Sequence, residues 1–115
     1  MRCRIVNIKM MKAIITGGAG FIGSNLAEVL SRDNEVIIVD DLSTGNEANI
    51  RGLEIELVKG SVTDLDLLRK TFKGADYVFH QAAIPSVPRS IKDPVSTNEA
   101  NVTGTLNVLI AARDC

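Results

Sequence analysis

Between Lys12 and His80 the chain alternates short apolar runs with stretches whose apolar residues recur every three or four positions, and Gly, Pro, Asp and Asn punctuate the changes. Ala13, Ile14 and Ile15 form a short aliphatic run of the kind buried on both faces of a parallel sheet. A glycine-rich turn follows from Thr16 to Gly23, then Ile22, Leu26, Val29 and Leu30 at helical spacing, then Glu35 to Val39 as a second strand ending on Asp40. Ile55 to Val58 predicts a third strand and Ala75 to His80 a fourth. Between them Leu65 to Phe72 reads as a helix, with Leu65, Leu68 and Phe72 at helical spacing and Asp64 as its cap. After a loop holding Pro85, Pro88 and Pro94, a long helix is predicted to carry Val95, Val102, Leu106, Leu109 and Ile110 along one face, interrupted by Gly104.

Strands that alternate with helices predict an α/β fold, a Rossmann-type doubly wound parallel sheet. Right-handed crossovers give the strand order 3-2-1-4 and put a dinucleotide crevice between strands 1 and 4. The turn K-A-I-I-T-G-G-A-G-F-I-G, Lys12 to Gly23, suits that crevice. Gly17 permits a backbone conformation closed to other residues, Gly20 brings no Cβ between backbone and pyrophosphate, and Gly23 allows close helix packing. The N–H groups of the helix start then face the anion. Asp40, 23 residues beyond Gly17, lies near the separation of roughly 20 at which an acid reaches the adenosine ribose hydroxyls. Its charge would repel a 2′-phosphate and no arginine directly follows it, so NAD is expected over NADP. Glycines at turns and an acid at a strand end also occur without any ligand. Gln81, Ala82 and Ala83 after the fourth strand leave room for a flat ring, or equally for tight packing.

Composition narrows the picture. Hydrophobic residues make up 45% and aromatics only 3%, with no Trp and one Tyr, so the core must be Ile, Val, Leu and Ala. The net charge is −1 and the 13 basic residues are scattered, which argues against nucleic acid as a partner. No stretch approaches the ~20 apolar residues of a membrane span, and a cytoplasmic protein is expected. Cys3 and Cys115 lie at opposite ends without a C-x-x-C partner, so free thiols are expected and no metal site is suggested. Residues 1–10, before Met11, read as a disordered appendage to a domain spanning 11–115.

Four motifs in register carry a family resemblance: T-G-G-A-G-F-I-G at Thr16 to Gly23, V-D-D-L-S-T-G at Val39 to Gly45, H-Q-A-A-I-P-S-V-P-R-S at His80 to Ser90, and N-V-T-G-T at Asn101 to Thr105. The chain resembles the N-terminal, cofactor-binding part of an extended short-chain dehydrogenase/reductase, nearest the UDP-sugar 4-epimerases. The resemblance implies that Gly17, Gly20, Phe21, Ile22 and Gly23 line the pyrophosphate of NAD and that Asp40 binds the adenosine ribose. Asp41, Ser43, Thr44 and Gly45 would wrap that end, with Val62 bordering the adenine. Gln81, Ala82 and Ala83 would run beneath the nicotinamide half, and Asn101 would help order the site. Ser86, Val87, Arg89 and Ser90 resemble the loop that approaches a UDP-sugar; Arg89 reads equally as a solvated cation.

Two departures stand out. Ser61 occupies the place where the family usually has an aspartate toward the adenine amino group, and a neutral hydroxyl should hold it less firmly. The family's catalytic Tyr-x-x-x-Lys pair is absent, since Tyr77 has no lysine four residues on and reads as a packing residue. His80 reads as a hydrogen-bonded structural residue. The resemblance therefore implies the NAD-binding portion of a UDP-sugar 4-epimerase working through a transient 4-keto sugar, with later strands missing and the chain alone inactive. A noncatalytic dinucleotide-binding module, or a sugar-nucleotide dehydratase or decarboxylase, is the alternative. A homodimer is expected of the whole protein and self-association of this chain.

Overall fold

The computed structural model describes residues 11–83 and 87–115, and of residues 87–89 the backbone alone. The expected appendage at 1–10, with Cys3, lies outside the described residues, as does Ser86. Strand β1 (Lys12–Thr16) is buried from Ala13 onward because it lies between two neighbours. On one side it pairs in parallel with β2 (Glu35–Asp40), Ile14 opposite Ile37; on the other with β4 (Tyr77–His80), Ile14 opposite Val78. β3 (Glu56–Lys59) flanks β2, so the order is β3-β2-β1-β4, as the crossover rule predicts.

Alternation along the central strands feeds two cores. Ile14, Ile37 and Val39 point to one face, where they meet Leu68, Phe72, Val108 and Ala111. Ile15, Val36 and Ile38 point to the other, against Ala19, Ala27 and Ile50. Helix α1 (Phe21–Leu30) covers the second face. Helix α2 (Leu65–Thr71) and the last helix, α5 (Gly104–Asp114), cover the first. Asp64 caps α2 as expected, its carboxylate accepting from Leu67 N at 3.1 Å.

Several expectations need correction. The buried face of α1 is Gly23, Ser24 and Ala27, while Ile22 and Val29 are 64% and 60% exposed. This helix lies so close to the sheet that its small residues face inward. Tyr77 is on β4 but more than half exposed, because β4 is a sheet edge; its ring tilts against Phe79 with centroids 6.5 Å apart. The predicted proline loop contains a helix, α3 (Val87–Lys92), which accommodates Pro88 in its first turn. The single long helix is broken. Asp93, held from helical geometry by the following Pro94, caps α4 (Pro94–Asn98) by accepting from Ser96 N at 3.2 Å. A π turn at Glu99–Thr103 then leads into α5. The predicted apolar face is exposed on both sides of that turn, at Val95 and Val102 as well as at Leu106 and Leu109, and the stripe that α5 buries is Gly104, Asn107, Val108 and Ala111.

Among the described residues no helix is long and apolar enough to cross a membrane, and no cluster of His, Cys, Asp or Glu is placed to hold a metal. Cys115 is an exposed free thiol.

Candidate functional site

At the C-terminal ends of β1, β2, β3 and β4 lies an open cleft of about 400 Å³. This is where an α/β sheet binds ligands, beside the point where strand order reverses. The turn after β1 forms its base. Gly17 has φ of +71°, and a Cβ built there would meet Ala82 N at 2.7 Å, so this position demands glycine twice over. A Cβ on Gly23 would collide with the Gly17 carbonyl and lie 2.8 Å from Gly18 Cα. Gly20 differs. Its Cβ would find only the Gly17 carbonyl, at 3.4 Å, so no protein atom explains the glycine and the space it leaves opens to the cleft.

Gly20 is also the N-cap of α1, with no side-chain cap. The first N–H groups of the helix have no intrahelical partner, and Phe21, Ile22 and Gly23, which carry them, line the cleft. A helix start without an acidic residue in its first turn or a side-chain acceptor is suited to an anion.

Asp40 ends β2 almost fully buried. Its Oδ2 accepts from Ala19 N at 2.9 Å and its Oδ1 from Leu42 N at 2.7 Å. Two of a carboxylate's roughly four acceptor sites remain. The carboxylate thus ties the glycine turn to β2 while lining the cleft. Leu42 adopts φ of +63°, a conformation costing a non-glycine residue about 1–2 kcal/mol, in the turn that Asp40 holds. Asp41, Ser43, Thr44 and Gly45 follow along the rim. Asp41 accepts from Ser43 N at 2.9 Å, and a Cβ on Gly45 would meet Asp40 Oδ2 at 2.8 Å.

On the β3 side, Ser61 and Val62 line the cleft. Ser61 Oγ accepts from Thr63 N at 3.1 Å and lies 2.8 Å from Thr63 Oγ1. Val62 is packed under α5, where Asn107 donates to its carbonyl at 3.0 Å. A side chain at Gly104 would strike Val62, so close packing accounts for that glycine. On the β4 side the lining is Gln81, Ala82 and Ala83.

Every predicted cofactor-side residue therefore meets at one cleft except Asn101, whose carbonyl accepts from Thr105 Oγ1 at 2.7 Å while its neighbour Ala100 lines the cleft. Val39, Gly60 and Ala100 are lining residues that the motif reading did not single out. Ala100 was hidden because its orientation depends on the π turn. Of the residues assigned to the sugar side, Val87 and Arg89 have only their backbone described, within α3, and Ser90 is half-buried in the same helix.

His80, half-buried at the end of β4, joins two hydroxyls: Nδ1 lies 2.6 Å from Thr16 Oγ1 and Nε2 2.9 Å from Thr105 Oγ1. Burial pushes its pKa below the ordinary value.

A doubly wound sheet with a glycine turn, an uncapped helix start and an acid at the next strand end defines a dinucleotide-binding α/β protein. Comparison with known proteins narrows that class. Residues 13–115 match the NAD dependent epimerase/dehydratase family, and the chain belongs to it. It is 41% identical over 110 residues to the UDP-glucose 4-epimerase of Mycolicibacterium smegmatis, covering 90% of this chain and 35% of that protein. It is 37% identical over 111 residues to UDP-glucuronic acid decarboxylase 1 of Arabidopsis thaliana, covering 91% of this chain and 24% of that one. Its fold is similar to that of the Thermus thermophilus UDP-glucose 4-epimerase in complex with NAD, with a TM-score of 0.79, 38% identity, and coverage of 90% and 34%. The chain spans about a third or less of the length of these relatives.

Proposed function

We propose that this chain is the NAD-binding portion of a UDP-sugar 4-epimerase acting on UDP-glucose and UDP-galactose or their N-acetyl derivatives. The observation that carries the reading is the convergence of the open space at Gly20, the uncapped start of α1 and the backbone-held Asp40 on one cleft at the strand-order reversal. Identity of 41% to an epimerase against 37% to a decarboxylase, over like shares of the chain, favours epimerisation.

The residues present fit NAD. The N–H groups at the start of α1 would bind the pyrophosphate, and the free lone pairs of Asp40 would accept from the adenosine ribose hydroxyls. Ser61 and Val62 would flank the adenine. Gln81, Ala82 and Ala83 would support the nicotinamide ring, and small side chains there keep the ring near the backbone. NAD held there would supply reversible hydride-transfer chemistry. This chain's residues hold the cofactor, and the resemblance of Ser86, Val87, Arg89 and Ser90 to the family's sugar-side loop motif supports a UDP-sugar as substrate of the whole protein. Without Tyr-x-x-x-Lys the 115 residues alone bind cofactor but do not turn over sugar. The exposed Val102, Leu106 and Leu109 suit pairing of two copies in the whole protein.

Calorimetric titration of the chain with NAD and NADP tests the cofactor reading. NAD is expected to bind more tightly, and equal affinities or no binding would overturn it. Interconversion of UDP-glucose and UDP-galactose by the whole protein tests the reaction, and a decarboxylated product from UDP-glucuronate would replace it.

A further inference from the structure

The hydrogen bonds around His80 can be given directions. Thr105 has one hydroxyl proton, and it goes to the Asn101 carbonyl at 2.7 Å. Toward His80 Nε2, at 2.9 Å, the Thr105 oxygen can therefore only accept, which places a proton on Nε2. At the other end Thr16 Oγ1 accepts from Gln81 N at 3.1 Å and from Ala82 N at 3.3 Å, which fills its two lone pairs. The Gln81 N–H is shared with the Thr16 carbonyl at 2.9 Å. The Thr16 proton then goes to His80 Nδ1, which must be bare. Every donor in the chain from Ala82 N to Asn101 O finds an acceptor only with a neutral imidazole protonated on Nε2. A proton on Nδ1 would press a third donor on Thr16 and leave the Thr16 hydroxyl without an acceptor among these partners. The lowered pKa of the ring, caused by burial, agrees with a neutral state.

What the chain holds is the β4 side of the cleft. The amides of Gln81 and Ala82 turn inward onto Thr16, and the peptide they belong to abuts Gly17 so closely that no Cβ fits between. At its far end the chain reaches the π turn that brings Ala100 to the cleft. We propose that His80, through Thr16 and Thr105, is a positioning residue that sets the floor beneath the nicotinamide half of the dinucleotide and ties it to the π turn. It touches no ligand itself. This rests on the dinucleotide reading of the cleft, with the adenosine half toward Asp40 and the nicotinamide half toward Gln81 to Ala83.

The test compares NAD with ADP-ribose, which shares the adenosine, pyrophosphate and second ribose but has no nicotinamide. Thr105→Val keeps the shape of residue 105 and removes the acceptor of His80 Nε2–H, and Thr105→Ser restores it. Thr105→Val is expected to bind NAD about threefold to tenfold more weakly, the scale of one hydrogen bond, with ADP-ribose affinity unchanged and Thr105→Ser near the original. The unchanged ADP-ribose site also reports that the variant is folded. Equal weakening of both ligands, or of neither, would overturn the positioning role. Binding of neither ligand by the unaltered chain would instead overturn the dinucleotide reading, and this inference with it. Nitrogen-15 NMR gives a second readout without ligand. His80 is the only histidine, so its ring signals need no assignment, and a bare Nδ1 with a protonated Nε2 is expected. The opposite tautomer would refute the chain of donors.

Discussion

The two sides of the cleft are fixed by different chemistry. On the β2 side a single carboxylate, Asp40, grips two backbone amides directly, at 2.9 and 2.7 Å, and the glycine turn is pinned through it. On the β4 side no charge is used. Two hydroxyls and a neutral imidazole pass one hydrogen bond to the next and reach an element 25 residues further along the chain. A charged acceptor with lone pairs to spare can hold protein and ligand together, so Asp40 suits a polar ribose. The saturated relay offers no spare group, so its side of the cleft suits a flat ring held by shape. The carboxylate side is local and strong; the relay side is distributed and can be altered one step at a time.

The largest expected effect lies where both sides meet. Gly17→Ala forces a side chain into left-handed backbone and against Ala82, and a loss of about 2–4 kcal/mol is expected from strain and overpacking together. Thermal unfolding would register it, and an unshifted midpoint would mean the turn relaxes freely. Asp40→Ala comes next, removing about 1.5–3 kcal/mol of NAD affinity and narrowing the preference over NADP. It should also lower stability, since Ala19 N and Leu42 N lose their acceptor. If both cofactors bound as before, Asp40 would be purely structural and the contrast between the two sides would fail. Gly20→Ala sharpens the same contrast from the ligand's side. Its methyl has room in the protein, so stability should fall only by the cost of alanine for glycine at a helix N-cap, about 1 kcal/mol or less, while NAD binding falls about tenfold, or ~1.4 kcal/mol.

Two smaller effects remain. Val102, Leu106 and Leu109 are each more than half exposed and β4 is an edge with no further strand beside it among the described residues, so sedimentation should show concentration-dependent association. Leu106→Glu with Leu109→Glu should reduce it, and a stable monomer throughout would assign these residues no partner. The smallest effect concerns pH. The folded pKa of His80 lies below its ordinary 6.5, so the unfolded chain takes up the proton first as pH falls. The contribution of the neutral ring is fully present above pH 6.5 and is lost as pH drops from there toward the folded value. Denaturant melts compared at pH 7.5 and 5.5, with and without His80→Gln, check this; stability rising on acidification in the original chain alone would reverse the sign.

Much of this was legible in the sequence because the central strands and the glycine turn are dictated locally. Ala13 to Ile15 and Val36 to Val39 have no polar residue, as the covered middle of a strand favours, and the buried polar residues Thr16 and Asp40 stand at the strand ends. Strand order followed from the handedness of crossovers. What escaped detection depended on approach distances. The inward face of α1 is small rather than large, so its buried residues carried little hydrophobic signal. Along the last helices the predicted apolar face, Val95, Val102, Leu106 and Leu109, is exposed throughout, and the buried stripe from Gly104 to Ala111 includes a glycine and an asparagine that a search for apolar spacing passes over. The role of His80 was half visible: its kind of environment followed from its place at a strand end, but its partners Thr16 and Thr105 lie 64 and 25 residues away.

Gly104 lies against Val62 with no room for a methyl group between them, and Asn107 clasps the Val62 carbonyl one turn later. These contacts join residues more than 40 positions apart into a single unit of inheritance. A larger residue at 104 is admissible only where 62 has shrunk, so lineages descending from this chain should change the two together or neither. The β3-side wall of the cleft is thereby kept from drifting by a helix that contributes no residue to the cleft's lining.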